Sequence, residues 1–309
     1  MRWDVLIMFI LLIILGVLGF ILYDNIPKQP VNLIFIKNNL SEIGNFSSYA
    51  SEMQFYPNMR YPKLPITFSI EKSCSQDKTE RTRKAFDILE KETNKLKFLE
   101  ATNGEIKIAC SEIPEPIRSD IFIAGEGGAT AIMDTGLYNV IFNGSVYLYK
   151  TNYCPEPVVE IHEILHALGF KHSNNRYSIM YNVSECDQKI TGDIINEIIK
   201  LYNTESYPDL YFKNIKGVKK GRYIDFEIEI LNRGLDVSAL VNMDVYADND
   251  KIAVYNVTSL DIGNGVDLKV ENLRGPRSFT ELKFVIDAEN SIKEIDKTNN
   301  IGIMEIEEA

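Results

Sequence analysis

The sequence is short of positive charge. Its 309 residues contain 33 Lys and Arg against 44 Asp and Glu, a formal net charge of −11 at pH 7. Proteins that bind nucleic acid or an anionic membrane surface carry an excess of basic residues. Both kinds of partner are therefore excluded as the main ligand, whereas a hydrophobic content of 45% is ordinary for a globular protein.

Cysteine is scarce as well, with Cys74, Cys110, Cys154 and Cys186 alone. No two of them have the spacing of paired zinc-binding cysteines, which excludes a zinc site of that type. An even number in an exported protein suggests disulfide bonds. Cys74 and Cys110 end two predicted strands that could be neighbours, and the other two bracket the histidine-rich stretch described below. Four buried, reduced thiols are the alternative.

A phosphate-binding loop is also missing. The glycine-rich stretch at 125–128 is not followed by the Gly-Lys-Ser/Thr that ends such a loop. The sequence predicts an ordinary tight loop there.

Only three histidines occur, and all lie within eleven residues, as His162, His166 and His172. Residues four apart share one face of a helix, so the first two can bind one ion. Gly169 can end that helix and return the third histidine to the same ion. Three protein ligands leave one zinc position open, as in catalytic sites, and Glu163 is placed to act on a zinc-bound water.

This pattern, HExxHxxGxxH, resembles the metzincin clan of zinc peptidases. Ser178, Ile179, Met180 and Tyr181 resemble the Met-turn of that clan, and Ser173 after the third histidine resembles its matrixin-like branch. The resemblance covers about 130 residues. It is strongest between Gly125 and Tyr202.

The resemblance implies an α+β metzincin-type catalytic domain, with a mixed twisted sheet and a zinc-binding helix. It implies one catalytic Zn²⁺, held by His162, His166 and His172, with Glu163 as general base and Met180 beneath the metal. The implied activity is hydrolysis of peptide bonds in a protein or peptide substrate, which would lie as an added strand along the cleft edge. The resemblance also allows a structural Ca²⁺, but the sequence shows no convincing loop for it. Tyr181 is expected to be structural.

Two alternatives to this activity remain open. One is a surface adhesion protein with an inactive metzincin domain, and the other is a zinc hydrolase of non-peptide substrates. The intact Glu163 argues against the first, because a site that only binds has no need of that carboxylate.

An uncharged run of 19 residues begins at Val5 and ends at Tyr23. Its length predicts a transmembrane anchor over residues 1–24, with the N-terminus cytoplasmic and the catalytic domain extracellular. A secretory signal peptide is the alternative. Residues 25–60 are predicted to be a linker, whose apolar patch at 31–36 is either a strand or a contact beside the membrane.

The catalytic domain is predicted over residues 61–206, with helices from Thr79 to Leu99 and from Ile190 to Tyr202. Beyond Tyr207 and Pro208 the pattern changes to strands alone. About seven short strands, the last at 291–295, predict an immunoglobulin-like β-sandwich over residues 207–309.

This half resembles the CARDB modules of prokaryotic surface proteins. The resemblance rests on Val285-Ile286-Asp287 and on the motif that runs from Glu294 to Asn300. Substrate binding, binding of a surface partner and a spacer function are all compatible with such a module.

Overall fold

The computed structural model describes residues 3–24, 31–37, 52–111, 123–149 and 154–305. This part of the chain contains four helices, α1 (Trp3–Asp24), α2 (Gln76–Thr93), α3 (Val158–Ala167) and α4 (Gly192–Asn203). Its strands are β1 (Val31–Ile36), β2 (Met59–Arg60), β3 (Ile66–Ile70), β4 (Phe98–Glu100), β5 (Ile106–Cys110), β6 (Gly125–Asp134), β7 (Asn139–Leu148), β8 (Leu210–Lys220), β9 (Tyr223–Asn232), β10 (Val241–Ala247), β11 (Asp250–Val257), β12 (Gly265–Arg274), β13 (Glu281–Ile286) and β14 (Ile301–Glu305).

The N-terminal apolar run forms α1, but no helix in the described ranges is both long and apolar enough to span a membrane. The predicted transmembrane helix and single-pass membrane location, with an anchor from Val5 to Tyr23, are therefore wrong. The described chain is a mixed α/β protein with a β-sandwich.

One six-stranded sheet has the order β2-β7-β5-β3-β4, and β6 pairs with the remaining side of β7. The β6–β7 pair is antiparallel, whereas β7 is parallel to β5 and β2, and β3 is parallel to β4 and β5. β6 thus forms an edge of this sheet. Helix α3 packs on β6 and β7, and α2 contacts α3. The largest buried apolar cluster lies between the sheet and these helices.

Helix α2 starts and ends earlier than predicted. The side chain of Ser75 accepts a hydrogen bond from the backbone N–H of Lys78 and caps the N-terminus. Asn94 adopts φ of 48°, in the left-handed region, and ends the helix. The residues up to Leu99, predicted as helix, instead enter β4, whose Phe98 pairs with Ile66 of β3.

The C-terminal part is a sandwich of two antiparallel four-stranded sheets, β1-β12-β9-β8 and β11-β10-β13-β14. The inward-facing residues of both sheets form the second large apolar cluster. The patch at 31–36 is a strand of this sandwich. Val31 lies opposite Val270 and Ile36 opposite Gly265.

The predicted strand at 291–295 is wrong, because the last strand is β14. The carboxylate of Asp287 accepts hydrogen bonds from the backbone N–H groups of Ser291 and Ile292. These local bonds hold the chain in a turn in place of a strand ladder. The edge position is taken by β14, which pairs with β13.

A third apolar cluster joins the two parts of the chain. Tyr138 and Val140 of the β6–β7 hairpin pack with Leu235 and Ile262 of the sandwich. Beside them, the Thr135 hydroxyl donates to the backbone carbonyl of Arg233 at 2.8 Å. The hairpin that carries the sheet edge is therefore attached to both halves of the protein.

Two disulfide bonds are formed, Cys74–Cys110 and Cys154–Cys186. Both pairs are those that the sequence analysis considered. Disulfide bonds are typical of extracellular or secreted proteins. The second bond joins the segment before α3 to the segment after Met180, so it closes a loop that contains all three histidines.

Replacing Cys154 and Cys186 together by Ser should lower the free energy of unfolding by about 3–4 kcal/mol, because the bond closes a loop with a separation of 32 residues. Urea unfolding measures this loss. The matched control is the double Ser variant of Cys74 and Cys110, whose separation is 36. The control variant should lose a similar amount of stability. Weaker zinc binding is expected only for the variant that lacks the bond between Cys154 and Cys186. Equal zinc affinities in the two double variants would contradict the role of the second bond in holding the histidine loop.

Candidate active site

Helix α3 is buried along its whole length and carries His162, Glu163 and His166. It ends in a Schellman motif: the N–H of Gly169 donates to His166 O at 2.9 Å and that of Phe170 to Leu165 O at 3.0 Å. Gly169 has φ of 94°, which a residue with a side chain adopts only with strain. The glycine therefore reverses the chain and brings the third histidine back to the helix.

The three histidines meet at one point. Their Nε2 atoms lie 3.0 Å apart between His162 and His166, and 3.2 Å from each of these to His172. On the opposite side of two of the rings, Nδ1 of His162 is 2.6 Å from Ile179 O and Nδ1 of His166 is 2.7 Å from Phe170 O. A carbonyl only accepts, so Nδ1 carries the proton and Nε2 presents its lone pair.

This donor set fits a metal cation. The Nε2 lone pairs of His162 and His166 converge, with Nε2 of His172 3.2 Å from both, and lone pairs placed in this way repel one another unless a cation lies between them. Hydrogen bonds from the other ring nitrogen to a carbonyl oxygen orient histidines that bind a metal, as they orient His162 and His166 here. Burial lowers the pKa of His162 and His172, and lowers that of His166 to about 4. The imidazoles are therefore neutral near pH 7, as metal binding requires. Three imidazoles suit zinc.

Glu163 is buried beside this group and faces the sheet edge. Burial raises its pKa to about 8, and the nearby carboxylate of Glu126 adds to the rise. A Cβ on Gly125 would lie 2.7 Å from Cγ of Glu163, and a Cβ on Gly127 would lie 2.1 Å from its backbone oxygen. These two glycines let β6 approach the helix closely.

The stretch at 125–128 is therefore strand and not the tight loop that the sequence predicts. Gly125 and Gly127 alternate along it, so that the face of β6 that meets Glu163 of α3 carries no side chain at these two positions. On the exposed Glu126, Oε2 accepts a hydrogen bond from the Tyr149 hydroxyl at 3.0 Å. Sequence reasoning had given neither of these two residues a role.

The turn that contains Met180 lies under the histidines. Ile179 supplies the carbonyl that holds His162, and Ser173 donates its N–H to Met180 O at 2.7 Å. Met180 is 1% exposed and belongs to the main apolar cluster. The N–H of Tyr181 donates to Ser178 O, which closes the turn.

One contact at the site comes from a segment to which the sequence analysis assigned no chemistry. The ring of Phe55 lies 5.9 Å from that of His166, centroid to centroid. It belongs to residues 53–60, far from the histidines in the sequence. No local periodicity in the sequence predicts a contact between such distant residues. The aromatic and apolar residues around Phe55 are the one feature of the sequence that indicates a packed segment there.

Comparisons with known families agree with this division of the chain. Residues 149–203 match the family described as Matrixin, and residues 207–302 match the family described as CARDB. The resemblance to a matrixin-like domain followed by a CARDB module is confirmed. The Matrixin match indicates a zinc metallopeptidase acting on proteins or peptides.

Solved structures similar to this chain include the CARDB domain of a Pyrococcus furiosus protein, determined in complex with di-metal ions. It is 21% identical with a TM-score of 0.29, and the match covers 32% of this chain and 87% of that domain. A domain of a Methanosarcina acetivorans protein is 22% identical with a TM-score of 0.30, over 33% of this chain and 95% of that domain. No curated protein matches the chain.

Proposed function

We propose that the chain is a zinc-dependent endopeptidase, with His162, His166 and His172 as zinc ligands and Glu163 as general base. The observation that carries the proposal is the convergence of three Nε2 atoms, two of them on rings whose Nδ1 faces a backbone carbonyl. Such a set holds one metal and leaves room for a water or a substrate oxygen. We also propose the division into residues 61–206 and 207–309.

The residues of this chain would act as follows. Ile179 and Phe170 hold the rings of His162 and His166 through their carbonyls, so that both imidazoles keep the tautomer that binds metal. When bound, zinc supplies a Lewis acid that polarises the scissile carbonyl and activates a water molecule. The pKa of about 8 belongs to the metal-free site, and a bound cation would lower it, so that Glu163 would be ionised there. Its carboxylate would accept a proton from the attacking water and deliver it to the nitrogen of the leaving amine.

Strand β6 supports the binding of an extended peptide. It is the edge of its sheet in the described part of the chain, so one row of its backbone N–H and C=O groups has no strand partner there. A peptide in strand conformation can pair with such a row. Because Gly125 and Gly127 of β6 lie directly against Glu163, this pairing would hold the scissile bond near the carboxylate.

Removing the metal should abolish the activity. We expect one zinc per chain, and we expect a chelator to stop the cleavage of denatured casein until zinc is added back. His166→Ala should lower the zinc affinity about tenfold or more, because it removes one of the three proposed ligands. Metal analysis of the purified full chain measures the stoichiometry. A wild-type chain without zinc, or one whose cleavage resists the chelator, would refute the proposal.

A further inference from the structure

Residues 53–60, called the strap below, run beside the link between the second and third histidines. The N–H of Lys171 donates to Met53 O at 3.0 Å, and the N–H of Phe55 donates to Gly169 O at 3.0 Å. Gln54 forms an antiparallel bridge with Phe170. The strap is thus bonded to the residues that return the chain to His172.

The strap is a fixed part of the fold. Gln54 is 1% exposed. Its side-chain amide donates to Met59 O at 2.7 Å and accepts a hydrogen bond from the Met59 N–H at 3.0 Å. Met59 and Arg60 form β2, which pairs with β7. Met59 also fills the space beside Gly169, because a Cβ added to Gly169 would lie 2.8 Å from the Cβ of Met59. A removable inhibitory peptide over the site would lack these buried contacts. The strap is therefore a permanent part of the domain beside the site.

Phe55 is the exception to this burial. The residue remains 49% exposed, although its backbone N–H is bonded to Gly169 O and its ring lies against that of His166. Large apolar side chains gain free energy when they leave water, and aromatic rings also gain from contact with other rings. A half-exposed phenyl ring, on a hydrogen-bonded backbone beside a proposed metal ligand, offers this gain to a substrate side chain.

We propose that Phe55 is a specificity residue that selects peptides with an aromatic or large aliphatic side chain close to the scissile bond. This inference rests on the proposed peptidase function. His166 is both a proposed zinc ligand and the ring that Phe55 touches, so a side chain packed on Phe55 belongs to a residue at or next to the cleaved bond. Covering the exposed half of the ring is expected to favour such peptides about tenfold over peptides with Ala at that position.

The first test maps the bonds of denatured casein that the full chain cleaves, by mass spectrometry. For the wild type we expect cleavage sites enriched in aromatic and large aliphatic residues within two positions of the bond. Phe55→Ala should lose this enrichment, and Phe55→Leu should retain the aliphatic part of it. The matched control is Tyr177→Ala, which removes another exposed aromatic ring between the third histidine and Met180. Its cleavage pattern should equal that of the wild type.

The second test is independent of turnover. A fluorescent ten-residue peptide from a mapped site, with Phe or Ala at the selected position, is titrated into the Glu163→Gln chain and followed by fluorescence anisotropy. The Phe peptide should bind about tenfold more tightly, and Phe55→Ala in the same chain should remove the difference while one zinc per chain remains bound.

The outcomes separate the two proposals. Cleavage with an unchanged preference in Phe55→Ala overturns the role of Phe55 and leaves the peptidase function standing. Loss of zinc in Phe55→Ala also overturns it, because the residue would then only support His166. A wild-type chain that cleaves nothing and binds no zinc overturns both.

Discussion

Glu163→Gln is expected to reduce the cleavage of denatured casein by roughly 10²- to 10⁴-fold, the usual contribution of a general base. Glutamine has nearly the same shape as glutamate, so the packing against Gly125 and Gly127 is retained. It cannot accept the proton from the attacking water. Zinc content should remain at one per chain, because Glu163 is not among the proposed ligands.

The control for this variant is Glu156→Gln. Glu156 lies just before α3 and pairs with Lys84 at the surface, with 58% of its side chain exposed. Its replacement should change the cleavage rate less than twofold. If Glu163→Gln with zinc bound cleaves casein as fast as the wild type, Glu163 is not the general base.

Gly127→Ala is expected to destabilise the protein by about 1–3 kcal/mol and to reduce the activity strongly. A Cβ at this position would lie 2.1 Å from the backbone oxygen of Glu163, far inside van der Waals contact. Backbone cannot rotate away as a side chain can, so β6 and α3 must separate. Because α3 carries two of the proposed ligands and the base, that separation displaces the site as well.

The neighbouring glycine provides the matched control. A Cβ on Gly128 meets nothing within 4 Å, although it lies on the same strand. Gly128→Ala should therefore change the free energy of unfolding by less than about 0.5 kcal/mol. Urea unfolding and casein cleavage of the two variants test the comparison, and equal stability of the two would show that β6 does not pack tightly on α3.

The candidate site was accessible from the sequence because its parts are close together in the chain. His162 and His166 are four residues apart and so share one face of a helix, and Gly169 lies where that helix can end. The convergence of the three nitrogens and the Schellman motif at Gly169 follow from these spacings. The pairing of Cys154 with Cys186 also agrees with a simple argument from position.

Other features depend on contacts that the local sequence does not specify. The alternation of Gly125 and Gly127 indicates a close approach of another backbone, but it is also compatible with a tight loop. Phe55 reaches His166 through pairing between segments more than 100 residues apart in the sequence. Strand β1 joins the sandwich opposite 265–270, and no periodicity identifies such a partner.

The prediction of a membrane anchor shows the limit of composition alone. The uncharged run between Val5 and Tyr23 has the length of a span, yet the described ranges hold no helix that meets the requirement. The last strand of the sandwich was misplaced for a local reason. Asp287 binds the backbone of Ser291 and Ile292, and this side-chain contact outweighed the apolar pattern at 291–295.

Hydrolysis of denatured casein by the purified full chain tests the central claim most directly. The chain is assayed as prepared, after treatment with a zinc chelator, and after zinc is restored. The account predicts cleavage, its loss and its recovery, with one zinc per chain in the active samples. A chain that holds zinc but leaves casein intact under all three conditions would contradict it.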